Sequence, residues 1–210
     1  MTASIHAEPE SRSCAEGFVG VIAACRDLGL TGVVDDEVRR PHAPVDEFRL
    51  AALAADATRL RGLAERLAMS GTRAAPASDW SGRSGRAALG ALTVVTGDVA
   101  QLRRRLSTGA AATSHAAEIL EAVLGRHAAV LRTVSRPRLG GVDLDAVPAA
   151  LNSGALDAGD LRAELHARLD FAETAGAVAA DAIAVALAEV ASAWSADAET
   201  DGDLALADLR

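Results

Sequence analysis

Residues 82–134, GRSGRAALGALTVVTGDVAQLRRRLSTGAAATSHAAEILEAVLGRHAAVLRTV, contain no proline, and their reading decides the fold. Apolar or small residues recur every three or four positions: Leu89, Leu92, Val95, Val99, Leu102, Leu106, Ala110, Thr113, Ala117, Leu120, Leu124, His127, Leu131 and Val134. This spacing makes a sustained heptad-like seam, the mark of a helix that lies along another helix. At about 1.5 Å rise per residue the stretch predicts a rod of roughly 75 Å. Each of Gly90, Gly97, Gly109 and Gly125 weakens it by about 1 kcal/mol relative to Ala, and a bend or break is expected near Ser107-Thr108-Gly109. The seam positions expected to meet core or partner are Leu92, Val99, Leu106, Leu120, Leu124 and Leu131.

Composition supports an all-α chain of the same kind throughout. Half of the 210 residues are hydrophobic, mostly Ala and Leu, only 2% are aromatic and there is no Tyr. Ala and Leu are strong helix formers, while the β-branched and aromatic residues that strands favour are scarce. The expected architecture is an elongated helical bundle built around a long antiparallel hairpin. The net charge of −8 opposes broad binding to a phosphate backbone, so nucleic acid is not an expected partner. Arg103-Arg104-Arg105 reads first as a solvated helix face, with an acidic partner or anionic surface as the alternative.

Working outward, residues 1–13 are polar and acidic and read as a disordered start without a Sec-type signal. A first helix is expected over 14–28, with Phe18, Val21, Ile22 and Cys25 on one stripe and Gly29 and Gly32 ending it. Cys14 and Cys25 lie three helical turns apart, too far to bridge, and are read as buried free thiols. Residues 33–44 read as a connector, and a second helix runs from Val45 to Met69, with Pro44 before it and Gly71 after it. Beyond Pro137 and Gly140-Gly141, a short helix over 145–152 and a long one starting at Asp157 follow. Asp157 is placed to cap that helix, with Leu156 and Leu161 spaced as a hydrophobic staple. Its stripe ends at Trp194, and 197–210 reads as an acidic frayed tail. The bundle thus spans 14–196, with the hairpin over 45–134 and a C-terminal extension over 142–196. No stretch reads as a membrane span.

The motif at the expected bend is Trp80-Ser81-Gly82, preceded by Asp79 and flanked by two Ala/Leu/Arg-rich helices. A Trp there can bury about 150–250 Å² against both helix ends, and Gly82 permits backbone geometry closed to other residues. Over residues 45–134 the arrangement resembles the WXG-type helical hairpin family of type VII (ESX) secretion systems. The resemblance implies a non-enzymatic protein acting through helix–helix association: a substrate, a co-secreted partner or a cytoplasmic accessory. It implies a helical protein partner in a homo- or hetero-dimer, and either a cytoplasmic location or export without a Sec signal. The family's Tyr-x-x-x-Asp/Glu export signal is missing, because the chain has no Tyr. The added N- and C-terminal helices would replace the dimer partner if they fold onto the hairpin. The alternative is a cytoplasmic adaptor, chaperone or toxin-neutralising partner unrelated to secretion.

Catalytic, cofactor and metal constellations are not found in the sequence. The five histidines, His6, His42, His115, His127 and His166, include no Glu-x-x-His pair of the di-iron type. His115 and Glu118 share a helix face in the reverse order, and no zinc spacing occurs. His127, on the heptad seam, is expected to be a satisfied interface residue.

Overall fold

The computed structural model describes residues 13–71 and 82–207, with side chains described through residue 195. Among the described residues the chain is all-α, with one minimal β-hairpin. Helix α1, Glu16–Asp27, buries the expected stripe of Phe18, Val21, Ile22 and Cys25. It ends at Gly29, whose φ of +70° suits the position after a helix end.

The segment read as a connector is partly helical. Asp35, Asp36 and Glu37 form the first turn of α2, Asp35–Arg39, where carboxylates complement the helix dipole. The Val34 N–H donates to Glu37 Oε2 at 3.2 Å, completing that end. Arg39 and Arg26 tie the region to α1 through Glu16 and Asp35, each at 2.9 Å. A 3-10 turn, Arg40–His42, leads into α3, Ala43–Glu47. Pro41 and Pro44 both sit in first turns, where a missing N–H costs nothing, so they start helices here. The helix expected from Val45 to Met69 is therefore two: Phe48 is extended (ψ 132°), and α4 runs Leu50–Gly71.

Helix α5 spans Gly82–Val134, as the proline-free seam predicts, and continues through Gly109 without a break. The Thr113 hydroxyl donates to the Gly109 carbonyl at 2.7 Å inside the continuous helix. Strands β1, Arg138–Leu139, and β2, Val142–Asp143, then pair antiparallel across Gly140-Gly141. Both glycines have positive φ (+59° and +80°), the requirement of a two-residue type I′ turn. Arg168 fixes the approach to this hairpin by donating to the carbonyls of Val134, Arg136 and Arg138. After α6, Val147–Asn152, helix α7 runs Ala158–Ala207, capped by Asp157 Oδ1 at 2.7 Å from the Gly159 N–H. It continues past Asp197, where a frayed tail was expected.

The described residues fall into two compact units. The first takes its residues from Met1–Phe48 and Ala122–Ala184, the second from Arg49–Glu121 and Val185–Arg210. The first has a core of large side chains, including Phe18, Ile22, Leu131, Leu139, Leu161 and Leu165. Each such side chain, fully buried, contributes about 1.5–3 kcal/mol. The second unit buries mainly small residues: Ala57, Ala64, Ala110, Ala116 and Ala186, with Leu120 the large exception. Within it, Arg61 Nη2 donates to Ser114 Oγ at 3.0 Å, which sets α4 beside the middle of α5, not its first turns.

By length and composition the Ala158–Ser195 stretch of α7 is apolar enough to cross a membrane. The stretch also supplies Leu161, Leu165, Ala172, Ala179, Ile183 and Ala186 to the buried set.

Candidate functional site

Of the expected motif residues, Trp80 and Ser81 lie outside the described residues, and Gly82 opens α5 with φ +81°. Among the seam positions, Leu120 and Leu131 are buried (0% and 4% exposed), and Leu92, Val99, Leu106 and Leu124 are half-buried. His115 and Glu118 are both exposed. No group of three or more His, Cys, Asp or Glu able to hold a metal occurs among the described residues.

Among the described residues, exposed large apolar side chains lie mainly on two helices: Val94, Val95, Leu102 and Ile119 on α5, and Phe171, Val178, Val185, Leu187 and Trp194 on α7. From Gly82 to Thr108 no residue of α5 is buried, although the segment carries six of the seam's large aliphatic side chains. Val95 and Leu102 are 56% and 47% exposed. Its charged residues are Arg83, Arg86, Arg103, Arg104 and Arg105 against the single Asp98. Within the first unit, Val123 and Val130 of α5 and Phe171, Ala175 and Val178 of α7 line a second apolar surface, a groove of about 200 Å³.

His127 sits at the floor of that groove and is buried, as the seam suggests. Its partner is a residue the sequence reading did not single out. His42 Nδ1 lies 2.9 Å from His127 Nε2, with ring centroids 5.0 Å apart and planes tilted by 55°. The two are 85 positions apart in the chain, and nothing periodic marks His42, which comes from the short turn between α2 and α3. A hydrogen bond between two imidazoles needs one N–H and one lone pair, so this contact cannot persist with both rings charged. Burial is the main cause that pushes both imidazoles below the ordinary histidine range; for His42 the neighbouring His127 adds to it. His42 Nε2 is buried without a hydrogen-bond partner.

Two features hold His42 in place. Gly176 of α7 lets the turn approach so closely that a Cβ there would come 2.6 Å from the Pro41 carbonyl oxygen and 2.9 Å from His42 Nδ1. Asp46 of α3 accepts from Ser13 Oγ at 2.6 Å and from the Cys14 N–H at 2.8 Å, fastening α3 to the start of α1. Desolvation opposes ionisation of Asp46, but these hydrogen bonds outweigh it and hold the carboxyl below its usual range. His42 also borders a groove of about 410 Å³ rimmed by Glu37, Arg40, His166, Asp170 and Glu173.

Cys25 is a buried free thiol, as expected, but Cys14 is not: it precedes α1 and is exposed. Its thiol leans on Asp46, and desolvation, then the hydrogen bond and charge of that carboxylate, push it up to about 12. A thiol held protonated in this way is a poor nucleophile at neutral pH.

No protein-family model, curated protein or solved structure matches the chain.

Proposed function

We propose that this protein is non-enzymatic and works by helix–helix association, as a WXG-type partner or substrate of a type VII secretion system does. The observation that carries the reading is the Gly82–Thr108 half of α5, which holds a heptad seam and fully buries no residue of it. A soluble chain leaves so long an apolar stripe wet at a cost, and such stripes mark association surfaces. The second unit's dependence on small buried residues points the same way, since larger aliphatic side chains remain for a partner to cover. Five arginines against one aspartate make an acidic-flanked apolar helix the complementary occupant, and set like charges against each other in a second copy. The lack of any Tyr favours a chain exported on a partner's signal or retained as an adaptor.

The test is capture from the native host by the full chain, compared with its Val95→Asp/Leu102→Asp variant. These are exposed positions, so the variant's stability is expected within about 0.5 kcal/mol of the wild type. Type VII secretion components or helical-hairpin proteins held by the wild type and lost by the variant support the reading. A captured set without them rejects the secretion role, and a set indifferent to the substitutions rejects the surface.

A further inference from the structure

The inference starts from the chemistry of the His42–His127 contact and is independent of the α5 surface. At 2.9 Å the two facing nitrogens share one proton. Full protonation of both rings would set two N–H groups against each other, and the contact would have to open. A single proton on His42 is also poorly accommodated, because its Nε2–H would face no acceptor. An unsatisfied buried charge is costly, and rings in this position either stay neutral or move.

The surroundings limit how the ring can be rescued in place. Gly176 packs directly on Pro41 and His42, so α7 leaves little room for the imidazole to turn. Asp46 is the acid on α3 whose charge acts on both rings, and its two oxygens are already engaged by Ser13 and Cys14. The other charged groups facing the pair are Glu37 on α2, Arg40 on the turn itself and Arg126 on α5. On α7 they are His166, Asp170 and Glu173. Those acids rim the open groove and contribute no hydrogen bond to His42 Nε2.

We propose that His42 and His127 form a pH-sensitive latch that holds the Arg40–Glu47 segment against α5 and α7, closed when both imidazoles are neutral and released when the pair takes up protons. The segment that moves is short: the 3-10 turn and α3, bounded by extended Phe48 at one end and α2 at the other. Release would uncover the floor of the groove lined by Val123, Phe171 and Val178, because His127 belongs to that floor.

Amide hydrogen exchange over residues 38–48 of the full chain tests the latch, corrected for intrinsic exchange and followed from about pH 7.5 down to about pH 5. The opening constant is expected to rise by about tenfold per pH unit for each proton taken up, and by up to about 100-fold for two, once the pH falls below the ordinary histidine value of 6.5. His127→Gln, which keeps a neutral hydrogen-bonding side chain, is expected to reduce that slope. Pulse-labelled α1 amides serve as an internal reference. Wild-type exchange without a pH-dependent rise, or an undiminished slope in His127→Gln, overturns the proposal. Should that variant fail to fold, NMR titration of the wild-type rings decides. Rings neutral below pH 6.5 that then charge together with segment opening support the latch; rings charging near 6.5 with the segment still closed overturn it.

Discussion

Gly125 and Gly176 look alike in sequence, each a glycine inside a long Ala-rich helix, yet their surroundings assign them opposite roles. A Cβ at Gly125 would meet nothing within 4 Å, whereas one at Gly176 would press on the Pro41 carbonyl and His42. Gly125→Ala therefore removes only a helix-propensity cost and is expected to stabilise the chain by about 0.5–1 kcal/mol. Gly176→Ala has to push the Arg40–His42 turn away from α7 and is expected to destabilise by about 1–3 kcal/mol. Urea denaturation with an unchanged slope would measure both; equal effects at the two positions would show that the close approach at Gly176 carries no strain. The same turn explains why His42 escaped the sequence reading. Its partner is far along the chain, and only the tertiary approach permitted by Gly176 brings the rings together.

At the scale of elements, legibility followed length. The bounds of α5 could be read from the sequence because fifty proline-free residues of sustained periodicity leave a helix little competition. Helix α1 was legible from four apolar positions and its glycine stop. Helices α2 and α3 were not, because a five-residue helix has almost no period to detect. They rest instead on Glu37 capping, first-turn prolines and ties to Glu16, Ser13 and Cys14. The β-hairpin was hidden behind a Gly-Gly read only as a helix stop. The sequence marks Gly109 as a weak point in α5, but in the fold it is a seat: a methyl added there would overlap the Trp194 ring of α7. Gly109→Ala should therefore displace the indole toward water. In a Trp80→Phe background, the variant's tryptophan emission is expected to shift to longer wavelength. An unmoved emission maximum would show that Trp194 does not depend on that glycine.

At the scale of the whole molecule, the buried histidines fix how stability varies with pH, and the sign follows from proton counting. In the folded chain His42 and His127 bind protons only below the ordinary value of 6.5, whereas in the unfolded chain they bind them near it. Between those limits the unfolded state holds more protons, so stability rises with pH. Their contribution is complete above about pH 6.5 and is lost as the pH falls through that value toward the folded values. Asp46 acts in a separate window, because its folded value lies below the ordinary 3.8. Its contribution is complete above 3.8 and is lost only as the pH falls below it. Acidification is therefore expected to lower the melting temperature in two stages, the first set by the imidazoles and the second joined by the carboxylate. Circular dichroism melts from about pH 8 to about pH 3 would resolve them at constant ionic strength. His42→Gln/His127→Gln should flatten the first stage and leave the second, while Asp46→Asn should spare the first, since its carboxylate favours rather than opposes the charged imidazoles. A double-histidine variant whose melting temperature still falls through pH 6.5 as the wild type does would place the acid sensitivity elsewhere in the chain.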